Sequence, residues 1–221
     1  MKEKVTIAIC HWHMDAERGQ IMRQSIESLL ETASEHEIIV VDNGGSMEDS
    51  TYLLDLTNQG KIACYVRNRH DMHGYYGENQ GIKLAELTST KYIVIADNDI
   101  LFKPGWLEEC IEWLEGNPGK FLATPIAADP KNKHGQFWKG ELGGWRLNQR
   151  AGSNVFVCRK ELFDEVGLIP ASTVAAITFT NTFLEKGYLV AVMPEPKAID
   201  LGLYKGFYHR GHSRNLKYKE L

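Results

Sequence analysis

Short apolar runs recur through the first half of the chain with helix-patterned segments between them, and this alternation constrains the fold most. Val5 to Cys10 (VTIAIC), Glu37 to Asp42 (EIIVVD), Lys61 to Val66, Lys91 to Ala96 (KYIVIA) and Phe121 to Ile126 each have the length and apolar content of a buried strand. Met22, Ile26, Leu29, Leu30 and Ala33 fall between the first two runs at helical spacing. Ser46, followed by Glu48 and Asp49, marks a helix start with negative charge at its positive end, and Gly60 marks the stop. A helix around Asn79 to Leu87 and one opened by Pro104-Gly105-Trp106 complete the pattern. Repeated β-α-β units of this kind specify an α/β fold, a mainly parallel sheet covered by helices.

The remaining composition excludes more than it identifies. The 221 residues are 43% hydrophobic and 24% charged, as in an ordinary globular protein. A net charge of −4 gives no general attraction for nucleic acid or an anionic membrane. No apolar run reaches the length of a membrane span, and Met1-Lys2-Glu3-Lys4 lacks the features of a signal peptide, so a cytoplasmic location is expected. Cys10, Cys64, Cys110 and Cys158 are scattered without paired spacing and read as buried thiols.

The second half is less regular. Residues 128–152 form a long stretch rich in glycine and polar residues, holding Trp138, Trp145 and Arg146. Its length points to a binding segment, and the two indoles suit a sugar-binding platform, although packing in the core is the commoner fate of a tryptophan. Strands at Asn154 to Cys158 and Tyr188 to Met193 follow, with two short helices between. The tail interleaves Lys205, His209, Arg210, Arg214 and Lys217 with aromatic residues, which fits a clamp over an anionic diphosphate or a plain solvated terminus. No repeat or linker divides residues 1–221, and a single domain is expected.

Asp97-Asn98-Asp99 is the strongest chemical signal. An extended strand would point Asp97 and Asp99 to the same side. Paired carboxylates at the carboxyl end of a buried strand need a cation or donors to compensate them, and open α/β sheets bind ligands at this edge. Oxygen ligands suit Mg²⁺ or Mn²⁺, which also bridge diphosphates. A capped turn before the next helix accounts for the tripeptide equally well when it is judged alone. Asp42 ends another strand before a glycine turn, as a turn-former or as an acceptor for a base or ribose.

The runs VTIAICHWH, EIIVVDNGGS, GENQGIKLA and YIVIADNDILFKPGWLE, with the later GSNVFVCRKELFDEVG and FLEKGYLVAVMPEP, resemble family 2 glycosyltransferases of the GT-A fold. The resemblance implies a nucleotide-sugar-binding half over 1–127 and an acceptor half with the tail over 128–221. It implies transfer of a sugar from a nucleoside-diphosphate sugar to a hydroxyl on a sugar, lipid-linked or protein-linked acceptor, with Mn²⁺ or Mg²⁺ as cofactor. Asp42 would contact the nucleoside, with His11 and Trp12 near the base or ribose. Asn79 and Gly81 match an Asn-x-Gly beside the donor, with basic residues near Arg67 and Arg69 completing the surroundings. Asp97 would touch ribose or the metal shell, Asn98 would lie within the metal-binding tripeptide, and Asp99 would be the direct ligand. His209, or His212 after it, would supply a late histidine to the metal.

One part of the pattern is missing. Inverting members place an acidic base about eleven residues before the Gly-Tyr that opens the last strand. Counting back from Gly187-Tyr188 reaches Ala175-Ala176, so the position of the expected catalytic base, Ala176, carries no acid. An engineered loss, another carboxylate (Asp129, Asp164 or Asp200) or a retaining route through the donor phosphate would each account for this. A non-catalytic nucleotide-sugar-binding module is the main rival reading. A sugar nucleotidyltransferase and a dinucleotide oxidoreductase rank lower, because Cys10-His11-Trp12-His13-Met14-Asp15 stands where each needs a glycine-rich loop.

Overall fold

The structure is a computed structural model that describes residues 4–12, 15–72, 74–126, 138–148, 154–170 and 181–201. Its elements in chain order are β1 (Val5–His11), α1 (Ala16–Ala33), β2 (Glu37–Asn43), α2 (Met47–Asn58), β3 (Cys64–Asn68), α3 (Gly74–Glu86), β4 (Tyr92–Asp97), β5 (Ile100–Phe102), α4 (Trp106–Gly116), β6 (Phe121–Thr124), β7 (Trp138–Leu142), β8 (Trp145–Asn148), β9 (Val155–Arg159), α5 (Leu162–Val166), β10 (Leu189–Val192) and β11 (Ala198–Asp200).

Nine strands form one sheet in the order β3-β2-β1-β4-β9-β6-β10-β8-β7, and β11 pairs with β5 in a separate ribbon. β9 runs against both β4 and β6, and β8 against β10 and β7; the other seven strands point one way. The expected mainly parallel α/β sheet is therefore present. Helices cover both faces, and the strand alternation decides which residue meets which helix. Val5, Ile7 and Ile9 of β1, Val40 of β2 and Val94 of β4 pack in one cluster with Met22, Ile26 and Leu29 of α1, Leu53 of α2 and Trp106 of α4. Ala8, Ile39, Ile93 and Ile95 face the other way, against Ile82 and Ala85 of α3 and Phe163 of α5.

Local signals place most elements. Asp15 caps α1 by accepting from the Arg18 amide, and Ser46 caps α2 by accepting from the Asp49 amide. Gly60 ends α2 at φ 72°. α3 starts about a turn before Asn79. β3 starts three residues later than the apolar run suggests, because Ile62 is buried from a turn and not from a strand.

The glycine-rich stretch yields a larger difference. Part of it is the hairpin β7–β8, closed at Gly143 and Gly144 with φ 57° and 78°, the left-handed pair a two-residue turn needs. Trp145 faces the core and stacks on Trp113 at 5.3 Å between ring centroids, so its surface is used for packing and not as a sugar platform. Arg146 is exposed.

α3 lies tightly on β1. A Cβ at Gly77 would overlap Cys10 Sγ, and one at Gly81 would lie 3.0 Å from Ala8 Cβ. Gly77→Ala should lower stability by about 1–3 kcal/mol, as overpacking does, and Cys10→Ala in the same chain should restore part of the loss. Denaturant unfolding of the single and double variants checks the coupling.

Candidate functional site at the carboxyl edge of the sheet

β1, β2 and β4 end together. The register sets Cys10 opposite Asp97 and His11 opposite Asp42. Asp42 and Asp97 thus lie two strand spacings apart, roughly 10 Å along the edge. They belong to opposite faces: Asp42 follows Val40 toward α2, and Asp97 follows Ile95 toward α3.

The strand does not stay extended through the acidic tripeptide. β4 stops at Asp97, and Asn98 and Asp99 form a turn into β5. Asp99 therefore reaches across to α1, where Arg18 Nη1 donates to its Oδ2 at 2.6 Å. The expectation that alternation alone aligns the two side chains is replaced by a turn that turns Asp99 toward a cation. The carboxyls remain electrostatic neighbours. Burial raises the Asp97 carboxyl well above the usual range, and the charges of Asp99, Glu78 and Asp200 raise it further, while Arg18 opposes them. Burial also raises Asp99, again against Arg18. Glu78, on α3, is pushed up to about 7 by burial.

Asp42 is fully buried and already served by donors. It accepts from Gly45 N at 2.6 Å, Ser50 Oγ at 2.6 Å and Tyr65 Oη at 2.8 Å, with Arg67 Nε 3.6 Å away. A Cβ at Gly45 would overlap Asp42 Oδ1 and lie 3.0 Å from the His11 ring, so only glycine lets the loop close here. Next to it, Asn43 donates to Asp71 Oδ1 and accepts from Asn68 Nδ2 and Met72 N, which folds the chain after β3 over the end of β2. His11 is fully buried, with Nδ1 2.8 Å from Asn98 Nδ2 and Nε2 3.4 Å from Asp49 Oδ2. Trp12 is 37% exposed at the rim.

Asn79 faces away from this rim. Its amide donates to Ile169 O and accepts from Ile169 N, both at 2.8 Å, joining α3 to the segment after α5. Gly81 gives α3 its close approach to β1. Arg67 lies over Asp42 and donates to Gly45 O and Met47 Sδ, and Arg69 is exposed. Among the alternative carboxylates, Asp200 lies at the site: it is buried, accepts from Asn154 Nδ2 and acts on Asp97. Asp164 is on α5, which follows β9 at the opposite edge of the sheet, where Lys160 N bonds Lys91 O. Asp129, Ala175, Ala176, His209, His212 and the basic tail lie outside the described residues.

Sequence reasoning misses Arg18 and Glu78, and it names Asp200 only as an alternative base. Their relevance depends on α1, α3 and β11 meeting the end of β4, which no local pattern encodes. Among the described residues, no three His, Cys, Asp or Glu side chains converge as a ready metal cage. What the edge offers is several carboxyls in a poorly solvated place with Arg18 as their counter-charge. That suits a hard divalent cation held by one or two carboxylates, with the remaining positions left to phosphate and water.

A sequence profile described as "Glycosyl transferase family 2" matches residues 16–167. An uncharacterized glycosyltransferase of Haemophilus influenzae is 24% identical over 149 residues, covering 62% of this chain and 44% of that protein. The chain thus spans less than half the length of this relative. Among solved structures, GalNAc-T7 with UDP, GalNAc and Mn²⁺ superposes with a TM-score of 0.68 at 12% identity, covering 89% of this chain and 43% of that one. The mannosyltransferase PcManGT of Pyrobaculum calidifontis, in complex with GDP-Man and Mn²⁺, gives 0.67 at 15% identity, with 89% and 58% covered.

The Asn79 clasp generates a test of its own. Asn79→Ala leaves an amide and a carbonyl of Ile169 without partners and should cost about 1–3 kcal/mol. Thermal or denaturant unfolding reads this. Donor binding measured under native conditions should change little, because the side chain is engaged elsewhere.

Proposed function

The chain belongs to glycosyl transferase family 2, and from that membership we propose that it moves a sugar from a nucleoside-diphosphate sugar to an acceptor hydroxyl, using a divalent cation at Asp97 and Asp99. The observation that carries this reading is the crowding of Asp97, Asp99 and Asp200 at the carboxyl edge, with their charge opposed by Arg18. Burial and mutual repulsion make these groups costly to ionise, and a cation of charge two offsets that cost. Bound there, Mg²⁺ or Mn²⁺ would neutralise charge developing on the leaving diphosphate.

The chain's own residues have separable roles in this scheme. Asp99 and Asp97 provide oxygen ligands, and Arg18 holds Asp99 toward α1. Asp42 shapes the loop of Gly44 and Gly45 and anchors Arg67, whose guanidinium is then available at the rim for the nucleoside. A direct nucleoside contact at Asp42, as the family resemblance implies, would require one of its three donors to be displaced, so we place that contact on the Arg67 side. Asn79 has a structural role in this scheme, joining α3 to Ile169. His209 or His212 would complete the metal shell from the tail, and residues 128–221 would supply the acceptor side within one domain. Two solved relatives of the fold hold UDP and GDP-Man respectively, so the fold by itself does not select a nucleoside. Among the described residues, no helix is long and apolar enough to cross a membrane.

A second reading is favoured by one observation, the alanine pair at 175 and 176. A protein that binds a nucleotide sugar without transferring it would show donor binding and no turnover or donor hydrolysis. Of the alternative acids among the described residues, Asp200 lies beside Asp97 and Asp164 does not.

Asp99→Asn should lower transfer by several powers of ten, on the order of 3–5 kcal/mol in the barrier, and abolish the Mn²⁺-dependent rise in melting temperature with donor. A screen of UDP-, GDP- and dTDP-sugars with and without Mn²⁺ supplies the donor for this assay. Full turnover together with retained Mn²⁺-dependent donor binding in the variant would remove the assignment. For the vacant base, Ala176→Asp and Ala175→Asp should raise turnover if that acid alone is missing. Unchanged turnover in both would show that the reaction does not depend on it.

A further inference from the structure

We infer that His11 is a positioning residue for the Asp97-Asn98-Asp99 turn, acting through the contact of its Nδ1 with Asn98. The observation is a relay of close contacts from α1 to the turn, buried at Asp49 and His11. Arg23 Nη2 donates to Asp49 Oδ1 at 3.4 Å and to Glu48 Oε1 at 2.9 Å. Asp49 Oδ2 faces His11 Nε2 at 3.4 Å, and His11 Nδ1 meets Asn98 Nδ2 at 2.8 Å. His11 and Asp49 are both buried.

The protonation pattern follows from chemistry at the Asn98 end. Asn98 Nδ2 also reaches the Trp12 carbonyl oxygen at 3.5 Å, and a carbonyl only accepts. The amide nitrogen, and not its oxygen, therefore belongs between Trp12 O and the ring. A carboxamide nitrogen only donates, so Nδ1 must present its lone pair. At the other end Asp49 Oδ2 approaches Nε2 to 3.4 Å without hydrogen-bond geometry between the two. The Asn98 end therefore selects the tautomer, with hydrogen on Nε2. The reversed amide would demand a proton on Nδ1 and set the Nε2 lone pair against Asp49.

Close packing keeps the relay in place. A Cβ at Gly19 would lie 2.7 Å from Asp49 Oδ1, and one at Gly45 would lie 3.0 Å from His11 Nε2. α1 thus holds the turn at two points, directly through Arg18 on Asp99 and indirectly through Arg23, Asp49 and His11 on Asn98. His11, placed near the base or ribose by the family resemblance, is enclosed beneath Asn98, the residue that separates the two acids.

The consequence for the cation rests on the metal reading above, and the test separates the two. Nitrogen-15 NMR of histidine-labelled protein without metal or donor, with the His11 signal identified by its loss in His11→Phe, should show hydrogen on Nε2 and a bare Nδ1. Hydrogen on Nδ1 overturns the inference. With Mn²⁺, His11→Phe and Asn98→Ala should each weaken metal affinity about 10–100-fold, the size of effect seen for outer-shell partners of metal ligands. The double variant should be no weaker than the worse single one, because both remove one contact. His11→Asn, which returns an oxygen acceptor near the Nδ1 position, should recover part of the affinity. In turnover assays the Mn²⁺ concentration for half-activity should rise while kcat at saturating Mn²⁺ largely recovers. Mere loss of stability would lower kcat and leave that concentration unchanged. Unaltered Mn²⁺ affinity in both single variants, with Asp99→Asn still defective, defeats the His11 inference alone. Unaltered affinity in Asp99→Asn as well defeats the metal reading.

Discussion

The hydrogen-bonded register between β1 and β4 is the constraint on which the site depends. It fixes Cys10 beside Asp97 and leaves His11 one residue further out, level with Asp42 on the next strand. A slip of one residue would exchange the faces of every side chain in β1. His11 would then turn toward α3, away from Asp49, and Cys10 would lose its place against Gly77. The apolar clusters on the two faces make such a slip expensive, because Val5, Ile7 and Ile9 would leave one core for the other. Core packing and the placement of the acidic edge are thus one property of the sheet.

That edge concentrates charge where the fold can least solvate it. Parallel strands end in a row, and the polar residues that follow share one boundary. Here the boundary is divided by the sheet. On the α2 side, Asp42 is satisfied by Gly45, Ser50 and Tyr65. On the α3 side, Asp97 lies among acidic neighbours and has Arg18 as its opposing charge. The contrast assigns structural work to one acid and leaves the other able to engage a ligand. Such a division follows from neighbouring helices, since the two aspartates occupy similar positions at the ends of their strands.

Much of the fold was legible because strands buried on both faces write continuous apolar runs, as at Val5 to Cys10 and Tyr92 to Ala96, and because Ser46 and Gly60 carry distinct backbone preferences. β5 and β11 were not, being three residues each and paired far apart in sequence. Trp145 shows the limit of residue type: an indole suits a sugar face and a core equally, and Trp113 on α4 decided the matter. At the site, Asp42, Asp97 and Asp99 were recognisable as acids at strand ends. Their partners were not, because Arg18 and Glu78 are ordinary charged residues on helices until those helices dock. The doubly engaged amide of Asn79 was hidden for the same reason, with ninety positions separating it from Ile169.

The reversed strand β9 has a consequence for how the chain assembles. It fills the gap between β4 and β6, although β6 precedes it by about thirty positions. During synthesis, β4 must wait with an open flank until the later segment emerges. Unpaired flanks of apolar strands are templates for joining other chains. A nascent or nicked polypeptide lacking residues 155–159 would carry two such flanks at once, so protection from self-association arrives with that short stretch.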